Sequence, residues 1–210
     1  MPGCGQSAPS DRPTPAMTSR FVAIEGPNGV GKSTVTTRLA RQLATLGRQV
    51  HTTAEPSGTA LGTLVRSAES SLSGRALALA VAADRYAHVE HEIRPTLDSG
   101  KDVISDRYVP SSLVLQRLDG LTLTEIWSYN AHLIVPALSV YLVDDPEVIA
   151  TRLSAREELS RLELQGSPAL ELALYEDAFR FLARRGWPQV KIDCHDLAPD
   201  DIAARILALL

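Results

Sequence analysis

The chain has 210 residues, of which 44% are apolar, and its net charge at pH 7 is −4. This length and apolar content predict one domain with one substantial core, and the mild acidity argues against a general nucleic-acid binder. No apolar run reaches the length of a membrane span. Two cysteines, Cys4 and Cys194, are too few for a disulfide scaffold, so we expect a protein of the reducing cytoplasm.

The amino-terminal residues combine Pro, Ser and Gly and lack the apolar stretch of a signal peptide. We predict a disordered extension over residues 1–17 and a single folded domain over residues 18–210. Translation from Met17 is an alternative that the mass of the native protein would decide.

The first folded elements surround a glycine-rich loop. A strand at Arg20–Ile24 leads into the sequence GPNGVGKST, and a helix-forming run follows it. In this P-loop spacing, glycines let backbone N–H groups point at phosphate oxygens, at the positive end of the next helix. A coincidental turn is the alternative, and the strand and helix on either side disfavour it. We predict that the phosphates of a nucleotide are held by Gly26, Pro27, Asn28, Gly29, Val30, Gly31, Lys32, Ser33 and Thr34, with Lys32 on the β and γ phosphates and Ser33 on Mg²⁺.

Strands and helices alternate along the rest of the chain. The pattern predicts a parallel sheet of five strands covered by helices on both faces, with ligands at the carboxyl ends of the strands. Carboxylates cluster at those ends, at Glu25, Glu55, Asp106 and Asp144. The further predicted strands are Gln49–Thr53, Asp102–Ser105, Leu138–Val143 and Gln189–Asp193. The further predicted helices are Ala76–Leu97, Ser111–Leu118, Thr122–Val135, one opening at Pro146, Ala169–Arg184 and one opening at Pro199.

Two features next to the P-loop indicate phosphoryl transfer. The strand DVISD ends in Asp106, which is how a P-loop enzyme brings a carboxylate near Mg²⁺. Arg107 follows it, and Arg85 shares a helix face with Val81, one turn before it. Guanidinium forks suit the phosphate of an already phosphorylated acceptor, although an exposed helical arginine is usually only solvated.

The segment 151–166, TRLSAREELSRLELQG, carries three arginines among three glutamates. From periodicity alone it fits a surface helix with ion pairs such as Glu157 with Arg161 equally well as a mobile lid. Arginines on a lid would neutralise charge on the transferring phosphoryl group and exclude water.

From about Arg20 to its end, the chain resembles the bacterial thymidylate kinases. The matching pieces are GPNGVGKST, AEPSGT, ADRYAHVEHEIRPTLDSG, DRYVPSSLVLQ, VDDPEV and RLSAREELSRLE, in the family's order and spacing. The resemblance implies a P-loop kinase sandwich of three layers with a lid, ATP and Mg²⁺ as cofactors, transfer of the γ-phosphoryl group to dTMP, and a homodimer.

The resemblance also implies roles for individual residues. Arg107 would bind the acceptor phosphate, Arg85 would contact the thymine edge, and Glu55 and Pro56 would lie beside the acceptor. A lid arginine, Arg156 or Arg161, would stabilise the transition state, because the P-loop lacks the basic residue of some members. The base and sugar pocket would be lined by Val81, Ser111, Ser112 and Gln116.

Several departures from the family pattern fall in the acceptor half. Asn28 stands where the family commonly has Asp, and Val81 replaces a Phe that stacks on thymine with about 1–3 kcal/mol. Leu115 replaces a Tyr that crowds the 2′ position of the sugar, and Ser160 precedes Arg161 where the lid usually has Asp. A kinase of a modified or ribose-containing nucleotide is therefore one alternative, and a non-catalytic nucleotide-binding relative is another.

Overall fold

The computed structural model describes residues 18–155 and 159–210. Its centre is a five-stranded sheet in the order β2-β3-β1-β4-β5, and every neighbouring pair of strands is parallel. This confirms the predicted α/β fold with a parallel sheet of five strands. The strands are β1 (Phe21–Glu25), β2 (Val50–Ala54), β3 (Asp102–Asp106), β4 (Leu138–Val143) and β5 (Gln189–Asp193).

Helices connect the strands and cover both faces of the sheet. The long stretch predicted over Ala76–Leu97 consists of α3 and α4 joined by a π-helical turn at Val89–Ile93. Pro95, in the first turn of α4, has no backbone N–H to donate to a carbonyl group of the preceding turn. The wider π-helical turn accommodates the missing hydrogen bond. The α-helices are α1 (Lys32–Thr45), α2 (Ala60–Ala68), α3 (Gly74–His88), α4 (Arg94–Asp98), α5 (Val109–Leu118), α6 (Leu123–Asn130), α7 (Pro146–Ser154), α8 (Arg161–Gln165), α9 (Pro168–Ala183) and α10 (Pro199–Leu207).

Alternation along β1 divides the core into two layers. Phe21 and Ala23 face one side, where they join the cluster formed by α3, α5, α6 and α9. Val22 and Ile24 face the other side, with α1, α7 and α10. Because successive side chains of a strand point to opposite faces, a fully apolar strand requires cover on both. The three-layer arrangement follows from this.

The sequence did not predict α2, and it predicted α6 too long. In α2 only Gly62 and Val65 are buried, although its apolar residues recur at helical spacing. Thr59 begins it, because its hydroxyl accepts a hydrogen bond from the Gly62 N–H. The prediction of a helix up to Val135 was wrong, since α6 ends at Asn130. Pro136 disfavours helical geometry at the residue before it.

The topology brings the chemically active residues together. The carboxyl ends of β1 and β3 lie side by side, with Ile24 in register with Asp106. The P-loop therefore lies beside Asp106 and Arg107, and β2 delivers Glu55 to the same edge. No helix in the part of the chain that the structure describes is long and apolar enough to cross a membrane.

Candidate active site

The P-loop requires glycine for both space and backbone geometry. Gly26 has φ 138°, and a Cβ at this position would lie 2.6 Å from the Leu142 carbonyl oxygen. At Gly29, with φ 83°, a Cβ would lie 2.8 Å from the Leu153 side chain. Few L-residues adopt such φ values, and neither site has room for a side chain. The loop can therefore turn its amides toward the start of α1.

Lys32, the first residue of α1, lies inside the loop. Its Nζ donates to the carbonyl oxygens of Gly26 at 2.9 Å and Pro27 at 2.8 Å, and the side chain is buried. Burial, together with the charge of Arg107, lowers the pKa of Lys32 to about 7. A phosphate beside Nζ would favour the ammonium form, so the site suits a polyanion.

Ser33 and Asp106 form the predicted oxygen pair for Mg²⁺. The Ser33 hydroxyl donates to Asp106 Oδ2. Asp106 Oδ1 is buried and has no hydrogen-bond partner among residues 18–155 and 159–210. Mg²⁺ takes few protein ligands and keeps water and phosphate oxygens, so a hydroxyl and a carboxylate beside the P-loop fit it.

A cavity of about 580 Å³ adjoins this pair and the P-loop. Its far wall includes residues that the sequence did not identify, Cys194, Leu197 and Ile202. Arg152 also lines it, held by an ion pair from its Nη1 to Asp144 Oδ2 at 2.9 Å. Arg152 is the first arginine of the predicted lid segment. Its place in that arginine-rich segment is the sequence feature that could have identified it as a residue of the cavity.

A second cavity, of about 280 Å³, lies beside the first. Asn28, Glu55 and Arg107 line both cavities. Residues of α2 and of the predicted lid cover the second cavity, including Val65, Arg66, Glu69, Ser160 and Leu162. The predicted acceptor residues that line it are Glu55, Pro56, Val81, Arg85, Arg107, Ser111, Ser112 and Gln116.

Arg85 forms the fixed wall of the second cavity. Its guanidinium is buried and donates to Glu55 Oε2 at 2.5 Å, Asn130 Oδ1 at 2.6 Å and Ser112 Oγ at 2.8 Å. The guanidinium also lies 5.7 Å from the centre of the Tyr108 ring. These bonds use three of the five N–H groups of an arginine, so two are left for a ligand. The sequence did not identify Asn130 or Tyr108 as partners.

Arg107 lies where the two cavities meet. Its Nη2 donates to Asn28 Oδ1 at 2.6 Å, and its Nη1 donates to Ser111 Oγ at 3.0 Å and to the Tyr175 hydroxyl at 3.4 Å. Its backbone has φ 76°, a costly value for a residue with a Cβ. Such strain is often stored at functional sites.

Below Arg107, Glu25 ends β1. Ser111 donates to Glu25 Oε2 at 2.6 Å, and complete burial raises the pKa of Glu25 to about 7. Glu25 Oε1 has no hydrogen-bond partner within the described ranges. Perturbed carboxyl groups of this kind are common at functional sites.

Comparison of the sequence with known proteins identifies a family. The family model described as Thymidylate kinase matches residues 24–171. The thymidylate kinase of Leifsonia xyli subsp. xyli is 38% identical over 191 residues, 84% of this chain and 89% of that protein. The thymidylate kinase of Bifidobacterium longum is 39% identical over 166 residues, which are 72% of this chain and 78% of that protein. The thymidylate kinase of Geobacillus thermodenitrificans is 31% identical over 206 residues, which are 91% of this chain and 89% of that protein.

The chain belongs to the thymidylate kinase family. This confirms the resemblance carried by the P-loop, the AEPSGT loop and the DRY segment. Members are P-loop kinases, so the α/β sandwich and a role as a nucleotide phosphotransferase agree with the family.

Among the arginines of the predicted lid in this thymidylate kinase homologue, Arg161 lies between Ser160 and Leu162, which line the second cavity. Its guanidinium donates to both carboxylate oxygens of Asp119, at 2.6 and 3.0 Å, and to the Glu69 carbonyl at 2.8 Å. The hydrogen bonds from Arg161 lower the pKa of Asp119. A role of Arg161 at the transferring phosphate stays a prediction, and that of Arg156 lies outside the described residues.

Proposed function

We propose that this chain transfers the γ-phosphoryl group of ATP to dTMP, giving dTDP and ADP. The observation that supports this most is Arg107, which lies between the P-loop cavity and the acceptor cavity and contacts the P-loop residue Asn28. An acceptor phosphate bound by Arg107 would face the end of a triphosphate bound at Lys32. Family membership supports the same reaction.

The mechanism is a direct in-line transfer that needs little base catalysis. Lys32 holds the β and γ phosphates, and Arg107 orients the acceptor phosphate. Ser33 and Asp106 would hold Mg²⁺, which neutralises charge on the triphosphate. A lid arginine, Arg156 or Arg161, contacts the transferring phosphate, and Arg161 would do so only by leaving its bonds to Asp119, Glu69, Leu72 and Gln165.

The acceptor base lies, in this proposal, against the face of α3 that carries Arg85 and Val81. Arg85 presents its remaining N–H groups to the base edge, and Gln116 adds a buried Oε1 for which the described part of the chain offers no partner. Ser111, Ser112 and Pro56 complete the pocket around the sugar and base. Val81 provides an apolar contact without aromatic stacking.

A panel of acceptors tests the proposal. ADP release is followed by a coupled assay with ATP, Mg²⁺ and, in turn, dTMP, dUMP, UMP, CMP, AMP and GMP. We expect the highest kcat/KM for dTMP. Absence of stimulation by dTMP would contradict the proposal.

A ribose-containing or modified nucleotide is the second candidate, and two residues in the cavity favour it. Val81 and Leu115 both line the acceptor cavity and leave more room than the aromatic residues that the family pattern has there. Preference for UMP over dTMP in the panel would support this acceptor. ATP binding without transfer to any acceptor would instead support a non-catalytic relative.

We also propose that the enzyme acts in the cytoplasm as a homodimer. The family resemblance supports the dimer, and the small number of cysteines supports a reducing compartment. Sedimentation equilibrium is expected to give twice the mass of one chain, whereas the mass of one chain would contradict the dimer.

A further inference from the structure

The two ends of the Asn28 side chain connect the P-loop to helix α9 and to Arg107. Its backbone N–H donates to Glu171 Oε2 at 2.9 Å, and its Nδ2 donates to Glu171 Oε1 at 3.3 Å. Its Oδ1 accepts the hydrogen bond from Arg107 Nη2 at 2.6 Å. The amide therefore lies between a carboxylate and a guanidinium, and each end of the amide faces the group that it can bind.

Glu171 is a buried carboxylate at the point where α9 meets the P-loop. It lies in the first turn of α9 with 1% of its surface exposed, and the positive end of the helix dipole favours its charge there. Gly166 allows the close approach, since a Cβ at this residue would lie 3.3 Å from Glu171 Oε1. A buried carboxylate with so little solvent requires hydrogen-bond donors, and Asn28 supplies two.

Helix α9 contacts Arg107 directly at Tyr175, one turn after Glu171. The Tyr175 hydroxyl lies 3.4 Å from Arg107 Nη1 and 3.0 Å from Ser111 Oγ. The guanidinium of Arg107 is thus held from one side by Glu171 through Asn28 and from the other by Tyr175. This directs it along the boundary between the two cavities.

The hydrogen-bond pattern explains why an amide rather than a carboxylate suits position 28. An aspartate there could accept from Arg107, but it could not donate to Glu171, and two carboxylates would face each other in a buried space. Like charges so placed disfavour each other strongly. Glu171 and Arg107 together therefore specify Asn28.

We propose that Glu171 is a positioning residue of the acceptor site, which orients Arg107 for the acceptor phosphate by fixing the Asn28 amide. The inference rests on the proposed function, in which Arg107 binds that phosphate. Glu171 itself lines neither cavity and touches the reaction only through Asn28. Its removal is expected to weaken acceptor binding.

A cycle of exchanges between the two positions tests this proposal. The proteins are the wild type, Glu171→Gln, Asn28→Asp and the double variant, and KM and kcat are measured for the acceptor and for ATP. We expect each single variant to raise the acceptor KM about tenfold, the size of one lost hydrogen bond to a charged group. In the double variant, the glutamine introduced on α9 accepts from the backbone N–H and donates to the aspartate introduced in the P-loop. The acceptor KM of the double variant should therefore return to within about threefold of wild type.

The matched control is Glu176→Gln on the same helix. Glu176 pairs with Lys191 and Arg180 away from both cavities, so this variant should keep the wild-type acceptor KM. Thermal unfolding of all variants separates misfolding from a local effect. The proposal would be overturned if the increases in acceptor KM were additive in the double variant, or if the Asn28→Asp enzyme were as active as wild type.

The experiment separates this inference from the proposed function. The cycle is run with whichever nucleoside monophosphate the wild-type enzyme phosphorylates, so a different acceptor would contradict dTMP as substrate and still test Glu171. If none is phosphorylated, the same proteins are titrated with dTMP by calorimetry. Rescue of dTMP affinity in the double variant would then support Glu171, and equal affinity in all four proteins would overturn it.

Discussion

Glu25 is a buried carboxyl group whose protonation should affect stability. Its pKa in the folded protein is raised by burial to about 7, above its usual 4.5, so between these values the folded state binds more protons than the unfolded state. The stability that this group contributes is full below pH 4.5 and is lost as the pH rises through 7. Glu25 therefore makes the protein less stable at about pH 8 than at about pH 5.

Replacing Glu25 by Gln should remove the loss of stability that Glu25 causes as the pH rises. Gln resembles the protonated acid, so the free energy of unfolding of Glu25→Gln relative to wild type should increase from about pH 5 to about pH 8. The expected gain is roughly 2–3 kcal/mol, from about 1.4 kcal/mol for each unit of pKa shift. Urea unfolding at the two pH values measures it, and an equal difference at both would contradict the raised pKa.

Asp106 should govern the dependence on Mg²⁺. In Asp106→Asn the side chain can still accept from Ser33, but it no longer brings a charge to the metal. We expect the Mg²⁺ concentration for half-maximal activity to rise at least about tenfold at fixed ATP. An unchanged Mg²⁺ titration would remove Asp106 from the metal site.

Lys32 should govern transfer itself. Lys32→Ala is expected to lower kcat at least about a hundredfold, because a fixed positive charge at the β and γ phosphates is lost. The coupled ADP-release assay measures this. Full activity in the variant would exclude the P-loop lysine from the mechanism.

At the scale of elements, helix α8 belongs to the cover of the acceptor cavity. Ser160 begins it with a capping box to Glu163, and Leu162 lines the cavity. Arg161 fastens the helix to Asp119 and to the carbonyl groups of Glu69 and Leu72, after α2. Helix α8 and the end of α2 thus contact each other beside this cavity.

Arg161→Ala should accordingly affect acceptor binding. Loss of the bidentate bond to Asp119 releases α8, so we expect the acceptor KM to rise roughly tenfold with a smaller change in kcat. Initial rates over a range of acceptor concentrations at saturating ATP measure both constants. A fall in kcat at saturating acceptor, with KM unchanged, would instead place Arg161 at the transferring phosphate.

At the scale of the whole molecule, the parallel sheet and the P-loop were predictable because each rests on local sequence. Short runs of β-forming residues between helical stretches marked the strands, and β4 and β5 have the predicted bounds. The spacing of Lys32 and Ser33 from the glycines of the loop follows from the phosphates and Mg²⁺ that a P-loop binds. Asp106 and Arg107 were predicted as site residues because they lie at the carboxyl end of a buried strand.

The partners of these residues were not predictable in the same way. Glu171 lies 143 residues after Asn28, and Tyr175 lies 68 residues after Arg107. Both belong to a helix whose polar residues, judged from sequence, would be assigned to the solvent-facing side. The packing of α9 against α5 and α7 brings them beside Asn28 and Arg107.

The most direct test of the central claim follows the phosphoryl group itself. ATP labelled at the γ-phosphate is incubated with dTMP, Mg²⁺ and the purified full chain, and the nucleotides are separated. We predict label in dTDP in an amount equal to the ADP formed, and none in dTDP when Lys32→Ala replaces the wild type. Label that appears only in inorganic phosphate, with dTMP unchanged, would contradict the account.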